Sequence, residues 1–153
     1  MNDVTSQLLY FYNRHPISRD IILAKLQASR GHLDNLRPEE LSPHDQDHYG
    51  GLKATDELAR QAQIGSGTLV ADFCAGLGGT VRYLAYKYGA NVTGIEFTPV
   101  RVAGAQDLTG RVAFSWETCT RARRNSGESS AVERSSLTSS RNIGRPSSEV
   151  GVV

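Results

Sequence analysis

Val70-Ala71-Asp72-Phe73-Cys74-Ala75-Gly76-Leu77-Gly78-Gly79 carries an apolar run into a glycine-rich turn, and Val92-Thr93-Gly94-Ile95-Glu96 ends a second apolar run on a carboxylate. The first run, from Thr68 to Phe73, has the composition of a buried strand. Thr80 to Tyr88 then reads as a helix with Val81, Leu84 and Ala85 facing inward, closed by Gly89 as its C-terminal glycine. Asn91 to Glu96 is a second strand. Thr98 stands at a cap position before Pro99, which suits the first turn of a helix running to about Thr109. Strand, glycine loop, helix, strand and helix in that order open a doubly wound parallel sheet.

The residue types in the turn point to a ligand. Gly76 and Gly78 let the backbone bend tightly and approach a bound molecule. A helix beginning near Gly79 would present free amides and its positive dipole end to that molecule. Asp72, at the end of the first strand, is placed to hold an ammonium or a backbone amide. Glu96, at the end of the second, suits ribose hydroxyls. The dinucleotide fingerprint Gly-x-Gly-x-x-Gly is not met, because Gly76 and Gly78 are followed by Val81 at the third position. An NAD(P)-dependent oxidoreductase is therefore the weaker alternative.

Asp72, Cys74, Gly76 and Gly78 together resemble the Asp-x-Gly-x-Gly-x-Gly motif of class I S-adenosylmethionine-dependent methyltransferases, with Cys74 where glycine is usual. The block from Leu41 to Thr55, containing Asp45-Gln46-Asp47-His48-Tyr49-Gly50-Gly51, is similar to the loop that lies over the cofactor in glycine, sarcosine and phosphoethanolamine N-methyltransferases. Thr93 to Pro99 with Arg101, Ala103 and Ala105 resembles their second strand and following helix. The likeness covers roughly residues 40 to 112. It implies S-adenosylmethionine as cofactor and methyl transfer to a small-molecule acceptor, an amine. Asp72, Cys74, Ala75, Gly76, Gly78, Glu96 and Phe97 are then the cofactor-binding residues, the glycine turn around the methionine moiety and Glu96 on the ribose. His48 and Tyr49 are the lid or acceptor contacts. No catalytic base is assigned.

Outward from this segment the chain divides in three. Residues 1–42 form a helical extension, in which Leu8, Leu9, Phe11 and Tyr12 crowd one stretch before Pro16. Ser18 caps a second helix with Ile21, Ile22, Lys25 and Leu26 on one side, and Leu33 and Leu36 continue its stripe. Residues 43–112 begin the cofactor-binding domain. Pro38 and Pro43 bracket an acidic turn ahead of a loop at 44–51, and a helix follows from Leu52 to Gln63 with Leu52, Leu58 and Ala59 for burial. Residues 113–153 hold ten serines and six arginines with no Lys, Asp or Tyr, a composition expected to be disordered. Arg111 to Trp116 could imitate a third strand, but nothing after Glu117 resembles the rest of such a domain. The expectation is an incomplete Rossmann-like α/β sheet with an out-of-frame or foreign ending, weak or undetectable methyl transfer, and a non-catalytic cofactor-binding or partner-binding fragment as the alternative.

Composition narrows the remaining classes. Seventeen basic against sixteen acidic residues leave no electrostatic footprint for nucleic acid. No leader-like start or membrane-length apolar run is present, and two cysteines in unlike contexts fit a reduced, cytoplasmic setting. His44, Asp45, Asp47 and His48 lack the spacing of a metal site and are read as loop groups. Cys74 fits as a small turn residue and not as a nucleophile. Arg121, Arg123 and Arg124 read as a solvated run, and Tyr10, Phe11 and Tyr12 as core or lid packing.

Overall fold

A computed structural model of the chain describes residues 3–113. Those residues form α1 (Asp3–Asn13), α2 (Arg19–Arg30), α3 (Pro38–Leu41), α4 (Gly51–Gln61), β1 (Leu69–Phe73), α5 (Gly79–Tyr88), β2 (Asn91–Ile95) and α6 (Pro99–Gly110). The Ser/Arg-rich segment lies outside the described residues from 114 onward.

β1 and β2 pair in parallel from Leu69 opposite Asn91 to Phe73 opposite Ile95. The Ala75 amide extends the ladder by donating to the Ile95 carbonyl at 3.1 Å, which brings the glycine turn beside Glu96. One face of the pair is covered: Val81 and Leu84 of α5 pack with Ala59, Ala90 and Val92. A second cluster joins Ile22, Leu23 and Leu26 of α2 to Leu36, Leu41, Leu77, Leu108 and Val112. The sheet therefore sits between a helical layer and an open side. Leu69 and Phe73 are 63% and 66% exposed, so β1 is not the buried strand its composition predicts. The physical reason is that no described element covers that face.

Local signals account for most boundaries. Ser18 Oγ accepts from the Ile21 amide at 3.4 Å, and Gly31, at φ 81°, ends α2. Within α2, Leu23 is buried and Ile21 is exposed. Leu36 does not continue the helix; it is extended, bridges to Val112 and has no exposed surface. This bridge is what the described part of Arg111 to Trp116 forms in place of a third strand. The acidic turn after Pro38 is the short helix α3, whose Glu40 side chain accepts from the Arg37 amide at 2.7 Å. Leu58 is exposed, because Thr55 and Ala59 occupy the buried side of α4. Thr98 stands at the α6 N-cap without a side-chain cap bond; the Glu96 carboxylate takes its backbone amide instead.

Cys74 adopts φ 62°, a left-handed backbone that a side chain disfavours by about 1–2 kcal/mol. Part of that gain is offset by the greater unfolded-state freedom of glycine. Cys74→Gly is expected to stabilise the fold by about 0.5–1 kcal/mol, read as a higher urea midpoint. An unchanged or lower midpoint would show the turn to be unstrained.

Candidate active site

Both strands end at the same edge, where Asp72 and Glu96 flank the turn and open into a cleft of about 680 Å³. That volume is in the range of small-ligand sites. Seven of the expected site residues line it: Asp72, Cys74, Ala75, Gly76, Glu96, Phe97 and His48. Gly78 stands behind the turn, its amide bonded to the Ala75 carbonyl at 2.8 Å. Tyr49 is fully exposed and is not among the lining residues.

Glu96 organises the turn. Its Oε2 accepts from the Gly76 amide at 2.9 Å and its Oε1 from the Thr98 amide at 2.8 Å. The carboxylate is buried and ties the glycine turn to the start of α6. Each oxygen retains a second acceptor lone pair. Gly76 suits its place because of its backbone, and any side chain there would displace the Arg101 guanidinium. Its φ is 57°, and a Cβ there would lie 2.8 Å from Arg101 Nη2.

Asp72 accepts no hydrogen bond among the described residues. Burial pushes its carboxyl above the usual range; His48 opposes the shift and the Glu96 charge adds to it. A carboxylate held without a donor is a receptor for a cation. Because its folded pKa is raised, ionisation costs stability, so that cost disappears as pH falls through the raised value. Asp72→Asn is therefore expected to raise the melting temperature at neutral pH while weakening a ligand that offers an ammonium. The wild-type chain should lose that ligand on acidification at a higher pH than an ordinary carboxylate dictates, and the variant should not. Calorimetric titrations across the acid range check both; a variant matching wild type in affinity and pH profile would refute the role.

The loop before α4 forms the facing wall. Asp45 and Arg82 make a buried ion pair of 2.9 Å, and Arg82 also donates to the Leu77 carbonyl at 2.7 Å and to Thr109 Oγ1 at 2.9 Å. Gln46 Nε2 donates to Asp45 Oδ1 at 2.8 Å. A Cβ on Gly79 would overlap the Asp45 carbonyl and fall 2.8 Å from Asp45 Oδ1. The α5 N-terminus is thus partly covered by the chain's own loop, rather than lying fully open to a ligand as the sequence suggests. Asp47 pairs with Arg101, and His15 Nε2 lies 3.5 Å from Asp47 Oδ1. The Arg101 guanidinium also stands 5.7 Å from the Tyr12 ring centroid. His48 Nδ1 lies 3.3 Å from the Tyr49 carbonyl, and its Nε2 lies 3.2 Å from both Gln46 Oε1, an acceptor to which it donates, and Thr55 Oγ1. With these partners, Asp45, Asp47 and His48 do not converge as a metal site.

Sequence reasoning missed Arg82 and Arg101. Arg82 falls on the helix side that apolar periodicity assigns to the core, and its charge gives no hint of a partner 37 residues away. Arg101 was included in a resemblance without a role.

No family model matches the chain. It is 32% identical over 98 residues to 2-methyl-6-phytyl-1,4-hydroquinone methyltransferase of Synechocystis sp., covering 64% of this chain and 24% of that protein. The chain thus spans about a quarter of the length of this curated relative. A geranyl diphosphate methyltransferase solved with GPP and sinefungin superposes with a TM-score of 0.52 at 12% identity, over 80% of this chain and 49% of that one. Phosphoethanolamine N-methyltransferase 2 of Haemonchus contortus, solved with S-adenosyl-L-methionine, gives 0.43 at 18% identity over 73% and 23%. The described residues share a Rossmann-like α/β fold with that geranyl diphosphate methyltransferase. Among them, no helix is long and apolar enough to cross a membrane.

Proposed function

We propose that this chain carries the cofactor half of an S-adenosylmethionine-dependent methyltransferase acting on a small-molecule amine. The observation that supports this best is the pairing of an unpartnered Asp72 carboxylate with the backbone-anchored Glu96 across one glycine turn. Asp72 would hold the ammonium of the methionine moiety, and Glu96 would accept from the ribose hydroxyls. Phe97 lies beside Glu96 on the cleft wall, and Cys74, Ala75 and Gly76 supply the close backbone approach. His48 borders the cleft as part of the lid, and we place Tyr49 at its outer edge. When bound, the cofactor supplies an electrophilic methyl group on a sulfonium. The protein's part is orientation and exclusion of water.

Charge favours this cofactor over a dinucleotide. Asp45 is neutralised by Arg82 and Asp47 by Arg101, so among the described residues no Arg or Lys of the cleft is paired with Asp72 or Glu96. A pyrophosphate would add negative charge beside them, whereas an ammonium and a sulfonium would offset it. The likeness of this segment to a hydroquinone methyltransferase also supports methyl transfer. We further propose that transfer by the 153-residue chain is weak. The exposed β1 face supports that, and it favours cofactor binding without turnover as the second reading.

Isothermal titration of the chain with S-adenosylhomocysteine, in competition with NADH, tests the assignment. Saturable binding that NADH does not displace is expected. Binding of NADH alone would replace the methyltransferase reading with an oxidoreductase, and normal turnover of an amine would overturn the expectation of weak transfer.

A further inference from the structure

If Asp72 takes the cofactor's ammonium, as the methyl-transfer reading on which this inference rests has it, the neighbouring carboxylate still needs a receptor. The α5 N-terminus is partly covered by the Asp45 backbone, and His48 Nε2 is engaged by Gln46. Arg101 is the only Arg or Lys among the lining residues described. Its side chain is only 5% exposed and stands against the glycine turn, with Nη2 2.8 Å from the place of a Cβ on Gly76. A guanidinium fork fixed in this way matches a carboxylate in both charge and shape.

That fork already holds a carboxylate. Asp47, from the loop before α4, pairs with Arg101 and borders the same cleft. At 24% exposed it is the half of the pair that water reaches. Asp47 also has a second donor close by, since His15 Nε2 lies 3.5 Å from its Oδ1. His15 Nδ1 accepts from the Ile17 amide at 3.2 Å, so the neutral ring carries its proton on Nε2, facing Asp47. Arg101 has no second carboxylate among the described residues; the Tyr12 ring stands 5.7 Å away. We propose that Arg101 is the receptor for the cofactor's carboxylate, and that Asp47 occupies this receptor until the cofactor arrives. Binding then exchanges one carboxylate for another on the same guanidinium, so no buried charge is left unpaired. The displaced Asp47 keeps the His15 N–H.

Calorimetric titration of the full chain with S-adenosylmethionine and with decarboxylated S-adenosylmethionine tests the exchange. The second ligand keeps the ammonium, the sulfonium and the ribose and lacks only the carboxylate. The complete cofactor is expected to bind at least about fivefold tighter, the scale of one charge-assisted bond less the displaced one. Arg101→Met should lower that ratio at least about threefold, and Arg101→Lys should restore part of it. The ratio compares two ligands on one variant, so a general loss of stability does not move it. Asp47→Asn keeps an acceptor for Arg101 but removes the competing charge, and should tighten the complete cofactor about threefold without tightening the decarboxylated one. A smaller wild-type ratio, or one that Arg101→Met leaves in place, would overturn Arg101 as the receptor. Unchanged or weaker binding of the complete cofactor to Asp47→Asn would overturn the exchange. Binding of neither ligand to the wild-type chain would remove the methyl-transfer reading and this proposal with it.

Discussion

Asp45→Ala lowers the unfolding free energy by about 3–5 kcal/mol, because it strands a buried guanidinium in a low-dielectric site. Arg82 is only 3% exposed, and its Nε already lacks a partner. Loss of Asp45 leaves it with the Leu77 and Ala105 carbonyls and the Thr109 hydroxyl, none of which carries charge. A domain of this size is stable by about 5–15 kcal/mol, so the variant would be close to unfolding. Urea denaturation measures the loss. Replacing both partners with apolar residues, as Asp45→Leu with Arg82→Met, should recover more than half of it, since no charge is then left behind. A loss below about 1 kcal/mol for Asp45→Ala would mean that the pair is not buried in solution.

Glu96→Gln weakens S-adenosylhomocysteine binding by about a hundredfold. The carboxylate receives two backbone amides, and charge-assisted bonds of this kind contribute about 1.5–3 kcal/mol each. An amide side chain offers one acceptor and turns its NH₂ toward the other backbone donor, so one bond is lost and a repulsive contact replaces it. The Gly76 turn is then released from the start of α6 just where the ribose would sit. Titration calorimetry, with melting temperature as a control for folding, reads the effect. Affinity within threefold of wild type would remove Glu96 from the site.

The glycine turn and both strand ends were legible in the sequence because short-range rules govern them. An apolar run, a turn of small residues and a Thr-Pro helix start each act over a few positions. The α2 cap at Ser18 was legible for the same reason. What escaped was set by partners far along the chain. Asp45 looks like a loop carboxylate until Arg82 is seen across from it, and Leu36 looks like the end of a helical stripe until Val112 meets it in an extended bridge. The exposed side of β1 was illegible for a different reason: composition reports that a strand wants burial on both faces, not whether anything supplies it. Tyr49 was drawn into the candidate site by its neighbours in sequence, and its full exposure places it outside the lining.

The central claim is that one cleft holds the cofactor between Asp72 and Glu96. A crystal structure of the chain with S-adenosylhomocysteine tests it most directly. The account predicts the ligand's ammonium on the Asp72 carboxylate and its ribose hydroxyls on Glu96, with Gly76 against the methionine moiety. A ligand bound elsewhere, or one in the cleft that touches neither carboxylate, would contradict it.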